Sequence, residues 1–254
     1  MQRVTVLESI VKRDRAIVVG GLLGITALAW GYMFYLAQDM GSMMRMQTWG
    51  AGDFTLMFIM WSVMMTGMML PSAAPMILTF SAFNRRRREG QGPFVPTGVF
   101  VLGYVIVWAG FAFVATSAQG GLRSASLLSP MLVSSSPYFG GPLLMLAGVF
   151  QFSSIKYACL TKCRTPLGFI MTEWREGTRG ALTMGVRHGV YCLGCCWILM
   201  ALLFVLGVMN LLWIAALAAV VLLEKVMPRG VPVSRLAGVL LILWGALVIG
   251  LEAT

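Results

Sequence analysis

The sequence predicts an all-α fold, a polytopic transmembrane helix bundle with its N-terminus in the cytoplasm and its C-terminus outside. Three observations predict it. Only 11% of the 254 residues are charged and 59% are hydrophobic, whereas charged residues approach a quarter of a soluble domain. Apolar runs recur at the length that crosses a bilayer, roughly 17 to 25 residues, and they lack the alternation of barrel strands, so helices are the spans that satisfy their own backbone in lipid. The nineteen Lys and Arg residues fall between these runs instead of on one basic face. That excludes nucleic acid as the partner of the +10 charge and makes the cations topology signals.

Seven runs meet the length test or nearly so: 16–37, 54–83, 95–117, 138–158, 181–208, 211–226 and 235–251. The first is too long for a signal-peptide core and no small-residue cleavage pattern follows it, so it is expected to stay as an anchor. The sixth is short, and the break before it rests on Gly207 and Asn210. Seven spans with the N-terminus inside place seventeen of the nineteen cations in the cytoplasm, leaving Arg45 and Arg123 outside. Deleting or merging one span inverts every later loop and spoils that bias. The chain reads as a single integral membrane domain over residues 1–254, with no room in its loops for a soluble domain.

All five cysteines, Cys159, Cys163, Cys192, Cys195 and Cys196, and the only histidine, His188, lie within one 38-residue window. Cys159 and Cys163 are four apart and share a helical face at the inner end of the fourth span. His188, Cys192 and Cys195 follow at spacings of four and three on the fifth span, Cys196 widens that face and Met184 extends it. The two helices run antiparallel through a cytoplasmic loop, so their faces are expected to meet. Thiolate, thioether and imidazole suit Cu(I) first and Zn(II) second, and not magnesium or calcium. A cytoplasmic position keeps thiols reduced. The structural alternative is that buried cysteine packs as a small hydrophobe.

Twenty methionines are present, and eleven lie between Met40 and Met76. Met57, Met60, Met64 and Met68 form a stripe on the second span, with Met65, Met69 and Met76 beside it. Thioethers select Cu(I) by softness without proton chemistry, so the stripe is a candidate ladder for that ion, and Met40, Met43, Met44 and Met46 in the outer loop are its collecting mouth. The competing reading is packing, since methionine is an adaptable core residue. Pro71 and Pro75 each free a carbonyl one turn earlier and are expected to bend this helix near the depth of the cysteines.

Arg85 to Arg88 read as a topology anchor, and Gln151 as interhelical glue. Glu173, Trp174, Arg175 and Glu176 form a charged inner loop that either stays solvated or docks a partner. There is no phosphate-cradling loop, no catalytic Ser/His/Asp set and no haem-attachment motif, so no enzymatic activity is expected.

The runs Trp61-Ser-Val-Met-Met-Thr-Gly-Met-Met-Leu-Pro-Ser-Ala-Ala-Pro75, Cys159-Leu-Thr-Lys-Cys163-Arg, Trp174-Arg-Glu-Gly, His188-Gly-Val-Tyr-Cys-Leu-Gly-Cys-Cys-Trp-Ile-Leu-Met200, Met209-Asn-Leu and Glu224-Lys225 resemble a bacterial family. Its members are predicted metal-binding integral membrane proteins of unknown function, some described as copper chaperones. The resemblance runs from about Phe54 to Lys225, and Thr66-Gly67 stands where alanine is usual. It implies a metal-related role in the bacterial inner membrane. The leading reading is a copper-handling protein that passes Cu(I) from the outer methionines to the inner Cys/His site, for transport or for delivery to a copper-dependent membrane enzyme or a copper chaperone. The alternatives are a membrane thiol–disulfide oxidoreductase using Cys195-Cys196 or Cys159/Cys163, and a non-catalytic subunit or assembly factor of a copper-dependent oxidase.

Overall fold

The computed structural model describes residues 2–38, 50–89, 95–125, 137–227 and 230–252. Among them every regular element is a helix: α1 (Gln2–Gln38), α2 (Ala51–Glu89), α3 (Thr97–Ser124), α4 (Pro137–Phe150), α5 (Ser154–Arg164), α6 (Pro166–Glu173), α7 (Gly177–Ala201), α8 (Leu203–Leu206), α9 (Leu211–Val226) and α10 (Gly230–Glu252). Met40, Met43, Met44, Arg45 and Met46 lie outside the described residues. Five of these segments are long and apolar enough to cross a membrane: α1 from Arg15, α2, α3, α7 with α8, and α10.

The expected fourth span is not one straight helix. α4 and α5 are bent by 61° at residues 151–153, and they make a sixth span when taken as one. The physical reason is a cap that hydropathy does not register: the Ser153 hydroxyl accepts from the Lys156 N–H at 3.2 Å and starts a new helix. α9 has the expected bounds, 211–226, and Asn210 caps it by accepting from the N–H groups of Leu212 and Trp213. At sixteen residues it is about 24 Å long, short of the roughly 30 Å hydrocarbon thickness.

α2 is the central element. Met57, Met60, Trp61, Met64, Met65, Met68, Met69 and Met76 along it are all buried, which is what thioether side chains do when they fill irregular space between helices. It runs as helix through both prolines. Pro71 has no N–H to offer the carbonyl of Gly67 one turn earlier, and the indole of Trp30 on α1 donates to that carbonyl instead at 3.3 Å. The freed acceptor thus ties α1 to α2.

α3 and α7 lie side by side and run in the same direction, Gly103 against residues 182–186 and Gly189 against Val107. A Cβ on Gly185 would sit 2.1 Å from the Phe100 carbonyl oxygen, so small residues are what let these backbones touch. α4 and α10 pack antiparallel in the same manner, Gly141 facing Gly245 and Gly148 facing Gly238.

The segment 161–180 is largely helical and folds against the bundle, with Arg175 and Glu176 left exposed. α6 buries Phe169 and Ile170, and Trp174 packs on Phe80 and Phe83 of α2 with the Arg87 guanidinium 5.4 Å from its ring. Glu176 pairs with Arg87 at 2.8 Å and Glu173 pairs with Arg187. The four residues 173–176 therefore fasten the C-terminal end of α2 to the N-terminal half of α7.

Candidate metal centre

α7 presents its cysteines inward because His188, Cys192, Cys195 and Cys196 recur at spacings of four, three and one, a single helical face. All four are buried, as is Met184. Within α7 the Cys195 and Cys196 thiols donate back to the Cys192 carbonyl, each at 3.0 Å, the usual local bond of a short polar side chain inside a helix. All five cysteines are free thiols.

α2 meets this face through Met69. The Cys196 sulfur is 4.0 Å from the Met69 sulfur, and Cys192 lies one turn earlier on the same face. Soft-metal bonds to sulfur are about 2.3 Å, so 4.0 Å is a span that one ion bridges. Around this sulfur group stand three polar residues. Lys225 on α9 donates from Nζ to the Cys192 sulfur at 2.8 Å and to the Ser72 hydroxyl at 3.0 Å. Tyr104 on α3 places its hydroxyl 3.1 Å from the Cys192 sulfur and donates to the Met69 carbonyl at 3.0 Å. Ser72 donates to that same carbonyl at 2.8 Å. Met69 and Ser72 flank Pro71, so the proline-containing turn of α2 does lie at the depth of the cysteines.

The remaining predicted residues are placed otherwise. Cys163 on α5 is buried with its thiol beside that of Cys195, which brings the two cysteine helices together. Cys159 is half-buried, with its sulfur 2.7 Å from where a Cβ on Gly194 would stand. The His188 ring packs among Phe100, Tyr104 and Phe169, and its buried Nδ1 has no hydrogen-bond partner among the described residues. Met184 accepts from the Arg175 N–H at 3.4 Å. Met57 accepts from Gln119 at 3.4 Å, and Gln119 accepts from Trp61 at 2.6 Å. Met57 is twelve residues, about 18 Å along the helix, from Met69. Met69, beside the predicted stripe of Met57, Met60, Met64 and Met68, brings its sulfur to 4.0 Å from that of Cys196. Among the described residues no three Cys, His, Asp or Glu side chains are grouped so as to hold a metal ion, and Met69 adds a thioether beside Cys196.

Sequence reasoning missed the ionisable side chains in the bundle. Lys156 and Lys225 were counted as cytoplasmic cations, yet both are buried. Lys156 forms an ion pair with Glu224 at 2.8 Å and donates to Gln151. Gln151 in turn accepts from Ser234 on α10 at 3.0 Å, so it does act between helices. The signal was legible: an ionisable residue at the end of an apolar run marks a functional site by default, and Glu224-Lys225 is such a pair.

Neither a curated protein nor a solved structure matches the chain. A family model described as copper chaperone, PpoB2, matches residues 58–248, from the methionine stripe of α2 through the cysteines of α7 and into α10. The protein belongs to the PpoB2 family of copper chaperones.

Proposed function

We propose that this protein carries Cu(I) inside the membrane, on a seat formed by Cys192, Cys196 and Met69, and hands it to a membrane partner. The observation that supports this reading most is the approach of the Cys196 and Met69 sulfurs to 4.0 Å in a buried position. Two thiols and a thioether form a donor set that suits Cu(I) by softness, with Zn(II) the weaker candidate because it prefers four ligands. Cys163, Cys195 and half-exposed Cys159 extend a line of sulfur from the seat toward α5. His188 stands one turn from Cys192 and is the next donor along α7.

In this reading the chain crosses the inner membrane of a bacterium seven times, N-terminus inside and C-terminus outside. The bent α4–α5 pair and the short α9 serve as the fourth and sixth crossings. The outer methionines Met40, Met43, Met44 and Met46 collect the ion, and Met57, Met60, Met64 and Met68 line its way inward. The protein catalyses no reaction of its own; a copper-dependent membrane enzyme or a second chaperone receives the ion.

The test is Cu(I) stoichiometry of the purified full-length protein in detergent, under reducing and oxygen-free conditions, against a colorimetric Cu(I) chelator. One tightly held Cu(I) per chain, lost in Cys192→Ser and Cys196→Ser, supports the reading. A wild-type protein that holds no more copper than those two variants overturns it.

A further inference from the structure

We propose that Lys225 sets the charge of the seat and thereby its choice of metal, admitting soft monovalent ions such as Cu(I) and Ag(I) and rejecting divalent ones. The inference rests on the Cu(I) reading above and deepens it by naming what discriminates among ions.

The last turn of α9 packs inside the bundle, and Glu224 and Lys225 on that turn are both buried. A buried ion is tolerated when it is paired and hydrogen-bonded. Glu224 meets that requirement with Lys156, and the charges of that pair cancel each other. Lys225 has no carboxylate among its contacts. Its Nζ lies 2.8 Å from the Cys192 sulfur and 3.0 Å from the Ser72 hydroxyl. The formal charge that touches the sulfur group, among the described residues, is therefore the Lys225 ammonium.

Cysteine binds metal as thiolate. Two thiolates and one ammonium carry one net negative charge, and a monovalent cation brings the whole to zero. A divalent cation leaves one uncompensated positive charge in a low-dielectric interior, where net charge is far costlier than in water. The thioether of Met69 adds softness without adding charge. Ligand type alone leaves Zn(II) as a competitor for cysteine sulfur; charge balance removes it. Ser72 on α2 and Cys192 on α7 hold the Lys225 ammonium from two helices.

The experiment compares Cu(I), Ag(I) and Zn(II) affinities of the full-length protein in detergent by competition, for wild type, Lys225→Met and Lys225→Arg. Lys225→Met is expected to lower the Cu(I)-over-Zn(II) affinity ratio at least about tenfold, or about 1.4 kcal/mol, with Ag(I) following Cu(I), while Lys225→Arg keeps the wild-type ratio. An unchanged ratio in Lys225→Met overturns the inference and leaves the Cu(I) reading standing. A wild type that holds no Cu(I), or prefers Zn(II), overturns both. A measurement on the unmodified chain covers the case in which Lys225→Met does not fold. Ag(I) displaces bound Cu(I) from wild type and Cd(II), thiophilic but divalent, does not; displacement by equimolar Cd(II) overturns the inference.

Discussion

Met69 and Met60 are both buried on α2, but Met69 lies against the Cys196 sulfur and Met60 stands nine residues, about 13 Å, farther along the helix, so their substitutions are expected to differ. Met69→Leu is expected to weaken Cu(I) binding about tenfold or more, equivalent to about 1.4 kcal/mol, while Met60→Leu, a volume-conserving swap, leaves it unchanged; chelator competition checks both. The Lys156–Glu224 pair makes a stability prediction at the same scale. Glu224→Leu alone leaves a buried ammonium without its partner and should cost about 3–5 kcal/mol. The double change Lys156→Met with Glu224→Leu should recover most of that loss. Unfolding by a denaturing detergent, read by helical circular dichroism, compares the two. At this scale the sequence was informative about chemistry and poor about partners. Spacing put Cys192, Cys195 and Cys196 on one face of one helix, which is local geometry. That Cys196 meets Met69, 127 residues away, follows from how α2 and α7 are set against each other, and no local pattern encodes it.

Helices were the most legible feature at the level of elements, because a run of apolar residues must satisfy its backbone internally in lipid. The bounds expected for α9 match, and those for α3 and α10 differ only at their ends. The bend between α4 and α5 was not legible, since Phe150, Phe152 and Ile155 keep the run apolar while a single serine cap restarts the helix. That bend decides where Cys159, Cys163 and Lys156 point. Close helix approach was likewise hidden in ordinary glycines. Gly185→Leu is expected to push α7 from α3 and to carry Cys192 away from the Tyr104 hydroxyl. It should cost at least about 1–3 kcal/mol and reduce copper binding together with stability. Gly110→Leu on the same α3, where a Cβ meets nothing within 4 Å, should leave both unchanged. Thermal unfolding and copper stoichiometry on the same samples distinguish the two sites.

The whole molecule places its most polar chemistry at the heart of its most apolar bundle. α1 and α10 are largely exposed along their lengths, whereas α2 and α7 are mostly covered, so the sulfur group sits on the two innermost helices with α3 and α9 closing around it. The cation pattern misplaced two of its own members: Lys156 and Lys225 lie inside the bundle. The fifteen other cations counted as inner still outnumber Arg45 and Arg123, so seven crossings remain the arrangement we propose. The central claim is that the buried trio of Cys192, Cys196 and Met69 holds copper. X-ray absorption at the copper edge of the loaded, full-length protein tests it most directly. The account predicts monovalent copper in an all-sulfur shell of two or three ligands at about 2.3 Å, with one sulfur lost in Met69→Leu. A shell of nitrogen or oxygen ligands, or a sulfur shell unchanged in both Cys196→Ser and Met69→Leu, contradicts it.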